Sequence, residues 1–397
     1  MTPAPLRIQE YFDRFSGILH PLAAEVAPVS AGRVLAEPVS ARAAIPPRDN
    51  SAMDGFLTPP LDEPCTLKVI GDVPAGSPAR TPCPGTAVRI MTGAAVPTGF
   101  NGLVVPVENT DVSPGPGPLP ATVTIRTLPT RDHIRRRGSH VVPGQLLADP
   151  ATLVDATLLA TLLSAGVDTA PQHRIPRVTV IATGAELVSG QLPDSNGPML
   201  AALVSATGPA HVTRLRCGDD PAELARVLDN AVSTAASDLI VTSGGVSAGA
   251  FDVVHTVLSQ RGDRAWFGHV AQRPGSPQGH ALWQGVPVLC LPGNPVAAFV
   301  SAHLYLTPAL RILRGLPRPT SVVDRPALRA IAGADFPASP TPLIQPCVLD
   351  LAGAVTASPP PGPRMRSHHV GALPGTGGFA VITDPVAAGE MLTIYPY

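Results

Sequence analysis

The sequence predicts a multi-domain α/β plus β protein: a central, doubly wound, mostly parallel sheet with a helical domain, an inserted β module and a C-terminal β domain. Three observations carry that reading. Between residues 174 and 316, short apolar β-like runs alternate with helical ones, the pattern of a parallel sheet covered on both faces. Between 44 and 131, β-like pieces separated by Pro/Gly turns interrupt segments of helical spacing, and beyond 317 proline-punctuated β pieces return. At 397 residues the chain exceeds one ordinary core, and a prior of roughly 150 residues per domain gives two to four domains.

Residues 1–43 read as the first part of the helical domain. Ile8, Phe12 and Phe15, then Ile18 and Leu19, recur at helical spacing, and after Pro21 a second apolar run through Val34 and Leu35 is read as helix too. The inserted module, residues 44–131, offers strands at Thr66–Ile70, Ala87–Met91, Leu103–Val107 and Thr122–Arg126. Two of its turns crowd polar groups without a packing reason: Asp49 to Phe56, which holds Asn50, Ser51 and Asp54, and Arg89 to Gly93, which sets Thr92 at a strand end. Each alone is equally an Asx or Ser/Thr turn. Arg135, Arg136 and Arg137 follow, as a solvated edge or a phosphate-neutralising cluster. Helical spacing resumes from Leu153 to Val167 with Gly166 as C-cap, so residues 132–173 form the helical domain's second part.

The α/β domain spans residues 174–316. Val178–Ile181 is a strand, and Thr183-Gly184-Ala185-Glu186 lies in the turn after it. Asp194-Ser195-Asn196 caps a helix through Val204, His211–Leu215 is a strand, and Asp219-Asp220 opens a helix from Pro221 to Ala231. Asp238 leads the buried run Leu239–Thr242, which breaks into Ser243-Gly244-Gly245. A helix from Phe251 to Gln260, a hairpin of Trp266–Ala271 with His280–Trp283, the strand Val286–Leu291 and a helix from Val296 to Leu306 complete the domain. Residues 317–397, closing on Met391–Tyr395, form the separate small β domain. Ligands of open α/β sheets lie beyond the C-terminal strand ends, where glycines let backbone N–H groups approach an oxyanion. The turns at Gly184, Gly244-Gly245 and Gly293-Asn294 should therefore converge on one edge.

Composition narrows the function. A net charge of −1 with no basic block argues against a nucleic-acid binder. With no basic-then-apolar leader and no run of ~18 apolar residues, a cytoplasmic protein without a membrane span is expected. The five cysteines are scattered without a Cys-x-x-Cys pair, which favours buried reduced thiols over disulfides or a thiolate zinc site. The 49 prolines fall between recognisable elements and 44% of residues are hydrophobic, so the chain is folded and loop-rich rather than disordered.

Glu186, Asp238 and Asp252 are three carboxylates near one predicted crevice lined by glycine backbone. Carboxylates repel phosphate, so their presence beside anion-binding loops makes sense where Mg²⁺ bridges the two. Each carboxylate alone could equally cap a helix or pair locally. Together they point to a nucleotide- or phosphate-handling enzyme. No Ser-x-x-Lys, Gly-x-Ser-x-Gly or Walker-type sequence occurs, which excludes a P-loop kinase and the usual acyl-transfer nucleophiles.

Asn50-Ser-Ala-Met-Asp-Gly55, Arg89-Ile-Met-Thr-Gly93, Arg135-Arg-Arg-Gly138, Asp194-Ser-Asn196, Thr242-Ser-Gly-Gly-Val-Ser247 and Leu291-Pro-Gly-Asn-Pro295 occur in this order. In that order they resemble the molybdopterin molybdenumtransferases of the MoeA type, similar to the gephyrin E-domain, over nearly the whole chain. The resemblance implies an elongated, four-domain, dimeric protomer whose sheet domain is like the molybdopterin adenylyltransferase (MogA-like) fold. It implies molybdenum insertion: adenylyl-molybdopterin and molybdate are taken with Mg²⁺, the metal enters the dithiolene, and AMP is released. It also implies a site shared between subunits, with the adenylyltransferase and recipient molybdoenzymes as further partners. By the same resemblance Glu186, Asp238 and Asp252 manage Mg²⁺ and phosphates, and Asp54 and Thr92 reach in from the partner subunit. Ser243, Gly244 and Gly245 cradle the nucleotide phosphate with Asp194 and Asn196 nearby, and Arg273, Pro277 and Ser367 lie near the molybdate.

The chain departs from the family pattern at the oxyanion end. Thr-Gly-Asp-Glu is here Thr183-Gly-Ala185-Glu, Gly-Glu-Asp is Gly138-Ser139-His140, and Lys-Pro-Gly-Lys-Pro is Arg273-Pro-Gly-Ser276-Pro277. A family serine falls at Ala297 and an arginine at Pro346. Each lost charge-assisted hydrogen bond costs on the order of 1.5–3 kcal/mol of oxyanion binding. The alternative expectation is therefore a catalytically impaired paralogue that binds molybdopterin or cofactor without inserting metal.

Overall fold

A computed structural model describes residues 4–246, 252–362 and 366–397. Its centre is a six-stranded sheet in the order His211–Cys217, Arg177–Thr183, Leu239–Ser243, Val286–Leu291, Pro277–Trp283, Asp263–His269. The first four strands are parallel and the last two add as antiparallel neighbours. Val178 pairs with both Val212 and Leu239, so the chain's direction across the sheet reverses at Arg177–Thr183. That reversal opens a crevice between the ends of this strand and Leu239–Ser243.

Every residue of Leu239–Ser243 is buried, because helices cover both faces. Leu200 and Val204 of the helix Asn196–Ala206 and Val296 and Val300 of Pro295–Ser301 share one core with Val178, Val180, Leu239 and Val241. Leu224 and Leu228 of Pro221–Ser233 and Val254 and Leu258 of Val253–Arg261 share the other with Ile181 and Ile240. Each such side chain contributes about 1.5–3 kcal/mol on burial. Pro295–Leu313 is a continuous helical rod with a π-helical stretch at Ala302–Leu306. It is apolar and long enough to cross a membrane by composition, yet 83% of it is buried inside the protein, as befits a core helix. The head of the helix expected from Phe251 lies outside the described residues.

The inserted module is a five-stranded sheet in the order Leu103–Pro106, Gly55–Thr58, Thr86–Ile90, Thr66–Val73, Thr122–Thr124. The C-terminal segment closes into a five-stranded barrel, Leu328–Ala332, Thr356–Ser358, Leu343–Asp350, Thr376–Ile382 and Met391–Pro396. Around the N-terminus the helix Ile8–Ser16 forms as expected, with Tyr11, Phe12 and Phe15 buried. The second apolar run is a correction: Ala24–Pro28 is a strand paired antiparallel with Thr169–His173, and Val34 and Leu35 make isolated bridges. Pro21 and Pro28 bound a stretch too short for a stable helix, and a partner strand supplies its hydrogen bonds instead. The helix Ala156–Ser164 is capped by Asp155, whose carboxylate accepts from the Leu158 amide at 2.7 Å, and Gly166 turns the chain at φ +76°.

Candidate active site

Three strand ends meet at the sheet's carboxyl edge. Gly244 has φ +99°, and a Cβ there would lie 2.8 Å from the Thr183 carbonyl oxygen; a Cβ on Gly293 would lie 3.4 Å from the Gly244 Cα. The glycines therefore let three turns approach more closely than side chains would allow. Asn196 ties them together: its side-chain amide donates to Ser243 Oγ at 2.8 Å and to the Gly293 carbonyl at 2.7 Å, while Ser243 Oγ donates to the Pro292 carbonyl at 3.2 Å. Asp194 accepts from the Gly197 amide at 2.8 Å and pairs with Arg216 at 3.6 Å, which fixes the start of the Asn196 helix.

Beyond these turns opens a cleft of about 1400 Å³, bounded on the far side by the C-terminal barrel. Ten of the sequence-predicted residues line it: Glu186, Asp194, Asn196, Ser243, Gly244, Gly245, Asp252, Arg273, Pro277 and Ser367. Ser247, the last residue of its motif, lies outside the described residues. The carboxylates gather at the sheet edge. Facing them are Arg273, from the loop before Pro277–Trp283, and Arg366 with His368 from the barrel. Among the described residues neither arginine's guanidinium has an acidic partner or a protein hydrogen-bond acceptor. The barrel is docked by backbone bonds on both sides of this rim: Arg273 N donates to Pro342 O and Val296 N to Ser367 O, each at 2.9 Å, and Ile344 N to Arg273 O at 2.8 Å.

Three sequence-predicted residues lie elsewhere. Asp238 is a correction. It precedes its strand, so it sits at the opposite end of the sheet from the glycine turn, about 16 Å from Ser243 at ~3.3 Å per residue. There it accepts from Arg174 Nη1 at 2.7 Å, from Arg174 Nη2, and from the Arg177 amide at 2.8 Å. Its side chain is 7% exposed, and its role is to anchor strand starts. Asp54 and Thr92 lie side by side on the inserted module, exposed and outside this cleft. The Thr92 amide and hydroxyl both donate to Asp54, and these two bonds hold its carboxyl below the ordinary carboxylate range.

Sequence reading missed two cleft residues. Asp219 ends the strand His211–Cys217 region and accepts from the Ala185 amide at 3.1 Å, which brings it beside Glu186. Asp220 alone caps the next helix, accepting from the Ala222 amide at 3.0 Å. The Asp219-Asp220 doublet was thus one carboxylate more than a cap needs. For Arg366 the signal was its neighbour, since the resemblance had already put Ser367 of the same loop near the molybdate. Ser276 is turned away: its hydroxyl donates to the Val270 carbonyl at 2.9 Å.

The thiols are only partly as expected. Burial pushes those of Cys217, Cys290 and Cys347 up to about 12, while Cys83 is exposed; all five are free. Among the described residues no group of three or more His, Cys, Asp or Glu is assembled to hold a metal.

Comparison with known proteins identifies the family and the fold. A family model described as "MoeA N-terminal region (domain I and II)" matches residues 6–166, and one described as "Probable molybdopterin binding domain" matches 179–312. The chain is 38% identical over 390 residues to molybdopterin molybdenumtransferase 2 of Mycobacterium tuberculosis (strain ATCC 25618 / H37Rv), with 92% of each chain covered. It is 33% identical over 304 residues to molybdopterin molybdenumtransferase of Nostoc sp., with 72% of this chain and 68% of that one covered. Among solved structures, the molybdopterin biosynthesis MoeA protein of Pyrococcus horikoshii OT3 superposes with a TM-score of 0.76 at 21% identity, over 99% of this chain and 100% of that one. At that identity the superposition bears on the fold alone.

Proposed function

The chain belongs to the molybdopterin molybdenumtransferase family, and from that premise we infer that its cleft is where adenylyl-molybdopterin receives molybdenum and AMP departs. It is an enzyme of molybdenum cofactor biosynthesis; the reading as a non-inserting paralogue is not favoured, since its relatives over most of their length are named as transferases.

The observation that carries the assignment of roles is the polarity of the cleft: carboxylates and glycine amides at the sheet edge, and opposite them arginines without a partner among the described residues. Glu186, Asp219 and Asp252 would hold Mg²⁺ there. Mg²⁺ takes one or two carboxylates and completes its shell with water and substrate phosphates, so a chain without a preassembled three-carboxylate cage still fits it. Bound there, the ion would neutralise phosphate charge and stabilise the leaving AMP. The turn Ser243-Gly244-Gly245 offers backbone to a phosphate, for the Gly245 amide has no acceptor among the described residues. Asn196 shapes that turn through its side-chain NH₂, which is committed to Ser243 and Gly293, while its Oδ1 has no donor among the described residues.

At the other end Arg273 and Arg366 would seat the molybdate dianion, with Pro277 and Ser367 alongside. This supplies two guanidinium forks, each suited to charge-assisted bonds with an oxyanion. Ser276, its hydroxyl turned to the Val270 carbonyl, adds no cation to this end.

Asp54 and Thr92 support a homodimer with a shared site. They form an ordered, exposed acidic pair with no part in their own chain's cleft, as groups offered to a partner's cleft would be. Val142, Leu146, Leu153 and Leu163, all exposed around the helix Ala156–Ser164, give a second copy apolar surface to cover. A cytoplasmic location and handover from an adenylyltransferase to recipient molybdoenzymes complete the proposal. The test is complementation of a strain lacking its insertase: growth dependent on a molybdoenzyme should return with this chain and not with its Asp252→Asn form, whereas no growth with either would reject the assignment.

A further inference from the structure

We propose that Gln272, Gln278, Ser301 and Tyr305 form a buried positioning network that sets where Arg273 stands in the cleft, and so sets the affinity for molybdate. The proposal rests on the reading that Arg273 seats the oxyanion.

All four side chains are essentially out of solvent in a region otherwise filled by apolar groups such as Val296, Val300 and Leu304. Their bonds have one pattern. The Gln272 amide donates to the Pro274 carbonyl at 3.1 Å and to Ser301 Oγ at 3.2 Å. The Gln278 amide donates to the Gly275 carbonyl at 2.7 Å and to the same Ser301 Oγ at 2.6 Å. Both protons of both amides are thereby committed, one to the loop and one to the helix. Tyr305, one turn further along the helix, donates its hydroxyl to Gln272 Oε1 and fixes that amide's orientation.

The two carbonyls held in this way belong to the residues that directly follow Arg273. The loop already lies so close to the network that a side chain at Gly275 does not fit: a Cβ there would meet Ser301 Oγ at 2.9 Å and Gln272 Nε2 at 3.1 Å. Gln278 Oε1 remains buried without a donor among the described residues, a cost that apolar packing would avoid. A polar lattice is therefore retained in a core where leucine and valine would pack, directly beneath the loop that carries Arg273 to the cleft. Fixed groups of this kind hold a binding side chain to within a fraction of an ångström.

The experiment compares steady-state kinetics of the full-length chain for molybdate and for adenylyl-molybdopterin. Ser301→Ala and Tyr305→Phe should each raise the KM for molybdate by about tenfold, while kcat at saturating molybdate and the KM for adenylyl-molybdopterin stay within about twofold. Val300→Ala, a neighbouring apolar truncation, should lower Tm and leave the molybdate KM alone. If Ser301→Ala fails to fold, Tyr305→Phe decides, since it removes one hydroxyl and nothing else. Unchanged molybdate KM in these variants, or a fall in kcat alone, would overturn the positioning role. Arg273→Ala separates the two ideas: a raised molybdate KM in it but not in the network variants rejects only the network. An unchanged KM in Arg273→Ala rejects the oxyanion seat on which the network depends.

Discussion

The Asp54 carboxylate takes two hydrogen bonds from a single residue, Thr92: from its backbone amide at 2.6 Å and from its hydroxyl at 2.7 Å. The pair keeps an ionised carboxylate ordered on an exposed turn that its own cleft never reaches. If it completes the neighbouring protomer's site, then Asp54→Asn and Glu186→Gln are each inactive alone yet complement on mixing. A random mixture holds half its dimers as heterodimers with one intact site, so activity should recover to about a quarter of wild type. The assay is AMP release after co-refolding or co-expression, and persistent inactivity of the mixture would show that both residues serve one site within a chain.

Asp238 behaves differently. Its bidentate pair with Arg174 and its bond from the Arg177 amide join strand starts, far from the cleft. Asp238→Asn should lower stability by about 1.5–3 kcal/mol, the range for hydrogen bonds to a charged group, and leave kcat/KM of the folded enzyme near wild type. Urea titration beside kinetics checks this; a stable but inactive variant would return Asp238 to the catalytic machinery.

The difference between Glu186 and Asp238 shows what sequence carries. Alternating strands and helices from 174 to 316, and glycines at three strand ends, were legible because each depends on local spacing and backbone freedom. So was convergence of Glu186, Ser243 and Asn294, since parallel strands put their C-terminal ends on one edge, whereas Arg273 came from the family resemblance alone. Asp238 was misread because it flanks the right strand at the wrong end: adjacency in sequence to a functional turn is not adjacency in space. Asp219 was missed for the opposite reason, as it joins the cleft through a neighbouring strand's register, and Arg366 was missed although the resemblance named its neighbour Ser367. The run after Pro21 was read as helix because apolar periodicity alone does not reveal a partner strand 141 to 149 residues away.

Gly244→Ala should damage nucleotide binding. Its φ of +99° disfavours a side chain, and the new Cβ would lie 2.8 Å from the Thr183 carbonyl. The strain is about 1–3 kcal/mol, relieved by moving the turn away from the phosphate. Calorimetric titration with AMP should show affinity reduced by about tenfold or more, as 1.4 kcal/mol per decade implies; unaltered affinity would mean that this turn does not touch the nucleotide.

Two buried histidines give a pH signature. Burial, with Arg14 beside it, lowers His280 from 6.5 to about 4, and burial, with Arg325 beside it, lowers His303 to about 3. Both folded values lie below the unfolded one, so below about pH 6.5 the unfolded chain binds more protons and stability falls with falling pH. Each contributes up to about 1.4 kcal/mol per pH unit, levelling off near pH 4 for His280 and near pH 3 for His303. Denaturant midpoints from pH 7 to 4 should fall steeply in wild type and less steeply in His280→Phe; equal slopes would contradict the neutral buried state.

The most direct measurement is release of AMP from adenylyl-molybdopterin by the purified full-length chain, with molybdate, in the presence and absence of Mg²⁺. Wild type should release AMP only with the cation, and Glu186→Gln should be slower by about a hundredfold or more. Equal release by Glu186→Gln, or bound adenylyl-molybdopterin with no AMP formed even at high molybdate, would contradict a cleft built to insert molybdenum.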